Sequence, residues 1–407
     1  MAALLLGGTL LAQQPFGLKS GDRVVFYGDS ITDQRLYTTF TESYVVTRFP
    51  TLNVTFTHSG WGGDRVGGGG GGPIDTRLDR DVFPYKPTVM TIMLGMNDGG
   101  YKALDQTLFD KYKDGMKHIV ATVKQRQPDC RITLIQPSAY DDVTRAPLFE
   151  GGYNAVLIRY SEFLKELAGQ EKLGVADLNT PVVEMLKKAK EADAIRAAEI
   201  IKDRVHPGAP GHLIMAEGLL KSWNAPSLVT DVNVDSAALT ADVKNTKISN
   251  LAKGAGISWD ELDAALPMPV DPQDALLNFA VDSSDFLAAL DQENLKVRGL
   301  SGEKYELRID GAAVLALTSA QLSAGVNLAR VATPMLKQAL LVHQLTLDRA
   351  TAHNIRWRQV QVPLKDIPEK DKTAAMNALD NLDRQLLRAQ REAAQPRSHH
   401  FELVPVQ

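Results

Sequence analysis

Short apolar runs, each stopping at a polar turn, recur along the first half of the chain. This rhythm restricts the fold more than any other feature. The runs lie near 23–28, 52–57, 88–94, 131–136 and 173–177, each the length of a buried strand. Between them, Thr107 to Gln125 and Tyr153 to Ala168 carry helical periodicity. Pro207-Gly208-Ala209-Pro210 opens a further helix running to about Trp223. Strands alternating with helices imply an α/β fold with a doubly wound parallel sheet. Such a sheet binds its ligands at the carboxyl ends of its strands.

Chemistry-bearing residues fall at those ends. Gly28-Asp29-Ser30 follows the first run, Gly60-Trp61-Gly62-Gly63-Asp64 the second, and Gly95-Met96-Asn97-Asp98 the third; Asp203-Arg204-Val205-His206 comes about a hundred residues later. Taken singly, each has an ordinary reading, since Asn, Asp and Gly dominate turns and Asp or Ser caps helices. Taken in order, Ser, Gly, Asn and Asp-x-x-His, they resemble the SGNH hydrolases, the GDSL esterase/lipase family, over roughly residues 22–224. The resemblance implies a flavodoxin-like sheet, Ser30 as nucleophile, His206 as base and Asp203 as its orienting partner. It also implies oxyanion donors from the Ser30 and Gly63 backbone and the Asn97 amide, with no metal and no organic cofactor. The residue types suit that chemistry. A serine hydroxyl needs an imidazole to take its proton. The imidazole needs a carboxylate to hold its tautomer. The developing oxyanion needs preset donors.

Other residues are open to two readings. Asp29, His58, Tyr140 and Arg204 are candidates for substrate contact. His58 precedes the glycine motif, and Tyr140 lies in Pro137-Ser138-Ala139-Tyr140-Asp141-Asp142 after the fourth run. Arg204 stands where the family often has a small residue, and the sequence favours a solvent-facing side chain there. Six glycines, Gly67 to Gly72, read either as a lid or as a tolerated surface loop. Pro73-Ile74-Asp75 follows them instead of Lys-Ser or Lys-Thr, which argues against a phosphate loop. His212 reads as structural. His118, His343 and His353 fall in helical patterns, and His399-His400 in a polar tail. None has metal-ligand spacing.

Composition limits the remaining classes. The 407 residues are 44% hydrophobic and 23% charged, with a net charge of −4. That suits a globular chain of two or three domains and gives no basic footprint for nucleic acid. No run of about 18 apolar residues predicts a membrane span. A single cysteine, Cys130, excludes an internal disulfide. Met1 to Ala12 resembles the apolar core of a secretory signal without its usual basic flank. The expectation is therefore a secreted or periplasmic protein, with a cytoplasmic one as the alternative.

The expected organisation is a signal remnant over 1–15, a hydrolase domain over 16–225, a small mixed region over 226–330 and a helical hairpin with a tail over 331–407. In the mixed region, Ile257 to Leu266 reads as a short helix stopped by Pro267, and Tyr305 to Leu317 as a hairpin around Asp310-Gly311. Pro334 to Trp357 and Asp371 to Glu392 read as two amphipathic helices, which offer a surface for oligomer formation. Arg356-Trp357-Arg358 reads as an interface anchor. The functional expectation is a serine esterase acting on small acyl groups, acetyl on carbohydrate above all. The small-molecule or polysaccharide ester substrate would form an acyl-enzyme on Ser30. A lysophospholipase or lipase, an O-acyltransferase, and a glycan- or partner-binding protein with an idle scaffold are the rivals.

Overall fold

The computed structural model describes residues 15–406; the expected signal segment therefore lies almost wholly outside the described residues. Five parallel strands form the first sheet: β1 (Arg23–Gly28), β2 (Thr55–Gly60), β3 (Val89–Met93), β4 (Arg131–Ile135) and β5 (Gly174–Ala176). Their order is β2-β1-β3-β4-β5, the flavodoxin-like arrangement. The strands are short and β-branched, and β3 is buried along its whole length, as a sheet covered on both faces requires. Helices α1 (Leu36–Arg48), α2 (Ile74–Asp81), α3 (Gln106–Arg126), α4 (Gly152–Glu171), α5 (Thr180–Ala192) and α6 (Ala209–Ser222) flank it. α1 packs on α6, and α3 on α4. Strand order reverses beside β1, so the loops after β1 and β3 open into one crevice.

The second half has its own apolar core. One sheet runs in the order β13-β10-β6-β7, with β6 Leu228–Asp235, β7 Thr240–Lys244, β10 Gln292–Arg298 and β13 Val326–Asn327. The other runs β8-β9-β14-β11-β12, with β8 Thr246–Lys253, β9 Ile257–Asp263, β11 Lys304–Ile309, β12 Ala312–Thr318 and β14 Ser398–Pro405. Val232, Leu295 and Val297 of the first share a buried cluster with Trp259, Leu307 and Phe401 of the second. The β11–β12 hairpin turns at Asp310-Gly311 as the sequence predicts.

Two expectations fail here. Ile257 to Leu266 is mainly strand, because Trp259, Glu261 and Asp263 alternate inward with Ile257; the inward acids hide the period of two. The expected polar tail is β14, seated centrally between β9 and β11. His399 and His400 sit on it, with Nδ1 atoms 2.7 Å from Asp310 and 2.6 Å from Asp260.

Helices α8 (Pro334–Asn354) and α9 (Glu369–Ala393) form the expected hairpin, inserted between β13 and β14. A shorter helix, α7 (Ala275–Asp282), packs on α6 and adds Leu277, Ala280 and Val281 to the core of the parallel-sheet half. α8 ends in a π-helical turn, Ile355–Gln361. The hairpin docks on α1 through a small apolar cluster, Val46 with Val342 and Ala393, and through polar contacts. Arg349 of α8 ion-pairs with buried Glu42 of α1 and reaches Asp383 of α9 at 3.0 Å. Gln390 donates to Glu42 and to Thr346 at 2.9 and 2.7 Å. None of the described helices is long and apolar enough to cross a membrane.

Candidate active site

The turn after β1 holds Ser30 by close packing. A Cβ on Gly28 would lie 2.2 Å from Thr32 Oγ1 and 2.7 Å from the Met93 carbonyl. Only glycine lets the Ser30–Asp33 turn close over β3. Asp29 caps that turn, accepting from the Ile31 N–H at 3.1 Å. Ser30 Oγ then lies 2.8 Å from His206 Nε2, and His206 Nδ1 lies 2.6 Å from Asp203 Oδ2. Geometry assigns the tautomer: Nδ1–H donates to Asp203 and Nε2 accepts from Ser30. Asp203 also accepts from the Val205 and His206 N–H groups at 3.0 and 2.8 Å. Partial burial works to raise its carboxyl, but the His206 and backbone hydrogen bonds prevail and hold it below the usual carboxylate range. The turn needs Arg204 in the left-handed region at φ +73°, a strained choice for a non-glycine residue.

The three expected oxyanion donors lie on the turns after β1, β2 and β3. Among the described residues, the Ser30 and Gly63 N–H groups donate to no protein acceptor. Asn97 is oriented by its own bonds. Its Oδ1 accepts from Tyr101 Oη at 2.8 Å and its Nδ2 donates to the Asp64 carbonyl at 3.0 Å, which leaves one amide hydrogen free. Gly63 takes φ +78° with no heavy atom near its missing Cβ. The Gly63 loop is held by a buried ion cluster. Arg77 donates to Asp64 at 2.7 Å and to the Ser59 carbonyl at 2.9 Å, and pairs with Asp81. The six-glycine segment folds back as a two-rung ladder, Gly68–Gly69 against Gly72–Pro73, over Trp61 and Arg77.

The four substrate-contact candidates do not border the pocket at Ser30. Asp29 is buried as a cap, and burial pushes its carboxyl up to about 7. His58 is turned away, with Nδ1 2.7 Å from Thr38 Oγ1. It lines a separate cavity of about 380 Å³ between β2 and the helical hairpin. Tyr140 lies among Tyr101 and Tyr153, with ring centroids 6.3 and 5.2 Å away, and so backs the Asn97 loop. Arg204 folds onto the chain, donating to the Asp141 carbonyl at 3.2 Å with Asp142 at 3.6 Å. The expected solvent-facing side chain is thus a clamp on the strained turn. Asp203 is the outermost member of the series, with its side chain 55% exposed.

Sequence reasoning missed the far wall. The pocket at Ser30 is lined by Asp33, Gln34 and Arg35 from the first half, by Asn354 at the end of α8 and by Arg358 from the π-helical turn. Trp357, between them, is buried as the expected anchor; its Nε1 donates to Asp81 at 2.6 Å. The second half therefore touches both the pocket and the cluster beneath Gly63. No local signal marks this, because it depends on how the hairpin docks. Among the described residues no group of three or more His, Cys, Asp or Glu could hold a metal ion.

With the Ser–His–Asp chain and its donors at the strand ends, the class is defined: residues 26–214 match the GDSL-like lipase/acylhydrolase family, and this part of the chain belongs to the SGNH hydrolases. An acetylxylan esterase from Geobacillus stearothermophilus is 23% identical over 224 residues, half of this chain and 94% of that protein. The crystal structure of an acetylxylan esterase from that organism, Axe2, covers 51% of this chain and 96% of its own, at 23% identity and a TM-score of 0.43. A gut microbial diltiazem-metabolizing enzyme matches over 97% of this chain and all of its own, at 25% identity and a TM-score of 0.84. The second half is part of that match.

Proposed function

We propose that the protein is a serine esterase that removes small acyl groups, acetyl first among them, from carbohydrate. Ser30 Oγ attacks the ester carbonyl while His206 Nε2 takes its proton. The negative oxygen settles among the Ser30 and Gly63 N–H groups and the Asn97 amide. The bond to the alcohol oxygen breaks as His206 returns the proton to it. Water, deprotonated by the same imidazole, then releases the acid from Ser30. One observation carries the reading: Ser30, His206 and Asp203 stand in hydrogen-bond series at 2.8 and 2.6 Å.

The walls of the pocket support the substrate part of the reading. Among the described residues no apolar side chain lines the pocket at Ser30, which suits a polar alcohol and a short acyl group and gives a fatty chain little to bury against. The acetylxylan esterase relative points the same way. An assay of acetate release from acetylated xylan, beside hydrolysis of 4-nitrophenyl acetate with and without a serine-directed phosphonate, tests the reading. Activity on both substrates, abolished by the phosphonate, is expected. Failure to hydrolyse either substrate refutes it; a preference for long-chain esters moves the protein to the lipases.

A further inference from the structure

The wall opposite Ser30 carries more positive than negative charge. Among the described residues Asp33 is its single carboxylate, and two guanidinium groups face it. Arg358 Nη1 lies 3.2 Å and Arg35 Nη1 3.5 Å from the Asp33 oxygens. Asp33 also accepts from the Gly62 N–H at 3.2 Å. The other carboxylate at the site, Asp203, is turned to His206. One positive charge is therefore left over, in a chain of net charge −4. Burial, with the neighbouring Arg358 charge adding to it, holds Arg35 below its ordinary value although Asp33 works against this. A second anion there would relieve the crowding.

The two cations are fixed before any ligand arrives. Arg358 lies flat on Trp61, 3.5 Å from the ring centroid, which leaves its outer edge able to donate. Arg35 is pinned by its Nη1 bond to the Asp33 carbonyl at 2.7 Å. Asn354, one turn before Arg358, has no hydrogen-bond partner for its amide among the described residues. All line the same pocket of about 380 Å³ as Ser30. A planar carboxylate matches guanidinium forks of this kind.

We infer that Arg35 and Arg358, with Asn354 beside them, form a subsite for a carboxylate on the alcohol part of the ester, so that the preferred substrate is an acylated acidic saccharide. The inference rests on the esterase reading above and narrows it. Arg358 is a specificity residue supplied by the second half of the chain to chemistry carried out by the first.

The test compares acetylated oligogalacturonides whose carboxylates are free with the same compounds amidated. The wild-type protein should favour the free acids in kcat/KM by at least about tenfold, mainly through KM, and added salt should compress the ratio. Arg358→Gln should bring the ratio close to one, whereas Arg358→Lys, which keeps the charge, should retain most of it. A wild-type ratio near one overturns the subsite. So does an Arg358→Gln enzyme that loses both substrates by the same factor, since that marks a purely structural role. Hydrolysis of 4-nitrophenyl acetate by the wild type separates the two claims. Without it the esterase reading fails, and with it but without charge preference the subsite alone fails.

Discussion

The helical hairpin and the two β-sheets of the second half lie in the same stretch of chain but are held by different forces. The sheets close around an apolar cluster in which Trp259 is fully buried and stacks on Phe401 at 5.4 Å. The hairpin meets the parallel-sheet half through a small apolar cluster, Val46 with Val342 and Ala393, and through a larger set of charges and amides: Arg349 and Gln390 on Glu42, Trp357 on Asp81. Apolar burial supplies stability without direction. Hydrogen-bonded contacts of this kind fix one orientation and cost heavily if left unmade. The hairpin must be aimed, since the end of α8 and the π-helical turn bring Asn354 and Arg358 to the pocket. The sheets need only be stable.

The largest expected effect lies outside both regions. Ser30→Ala should lower turnover by roughly 10⁴ or more on every substrate, with the fold intact by circular dichroism. Near-normal activity would mean that the hairpin frames some other nucleophile. Asn97→Ala should lower kcat by about 10²–10³ and move KM much less, because the oxyanion charge appears only in the transition state. An effect confined to KM would turn Asn97 into a ground-state contact.

Within the second half the two regions should respond in different currencies. Trp259→Ala should cost about 3–5 kcal/mol of stability in denaturant unfolding while the folded fraction keeps its kcat. A fall in kcat larger than about twofold would show that the sheets also communicate with the site.

The hairpin junction, by contrast, should be sensitive to acid. His343 on α8 sits 2.9 Å from Ser43 and stacks on Phe40 of α1 at 4.8 Å. Burial pushes its imidazole down to about 4, against the pull of Glu42. The folded value lies below the roughly 6.5 of an unfolded histidine, so the unfolded chain binds more protons in that window. The stabilisation is complete above about 6.5 and is lost as pH falls toward about 4, by as much as about 3 kcal/mol. His343→Gln should flatten that slope in stability measured across the window. An unchanged slope would place the acid response in buried His212 and His353, both pushed down to about 3 by burial.

The same contrast explains what the sequence disclosed. Ser30, Gly63, Asn97 and His206 were legible because each lies on a turn next to its own strand or helix, where local residue types state the geometry. Helix α1 was not. It buries Thr38, Thr39, Thr41, Glu42, Ser43, Thr47 and Arg48, so its composition reads as surface although helices α6 and α8 cover it. His58 was misplaced because its side faces α1 and the hairpin, and nothing local states which side of β2 the hairpin covers. Arg358 was visible only as part of Arg356-Trp357-Arg358, read as an interface anchor. Its pairing with Asp33 spans more than three hundred residues of chain.

The smallest effect bears most directly on whether the hairpin supports the chemistry or only borders it. Trp357→Phe keeps an aromatic ring against Trp61, now 5.5 Å away edge to face, and removes the Nε1–H that donates to Asp81 together with part of the buried ring. Asp81 is buried, and it shares Arg77 with Asp64, the residue after Gly63. Losing a hydrogen bond to a buried charge costs about 1.5–3 kcal/mol. Part of that cost should appear as a looser Gly63 loop. We expect kcat to fall about tenfold on neutral and acidic substrates alike, since the change touches the oxyanion side and leaves Arg358 in place. Arg358→Gln should do the opposite and separate those substrates. If Trp357→Phe lowers stability but leaves kcat unchanged, the hairpin contributes a wall and no support. If it discriminates between the substrates, the two contacts of the π-helical turn act as one.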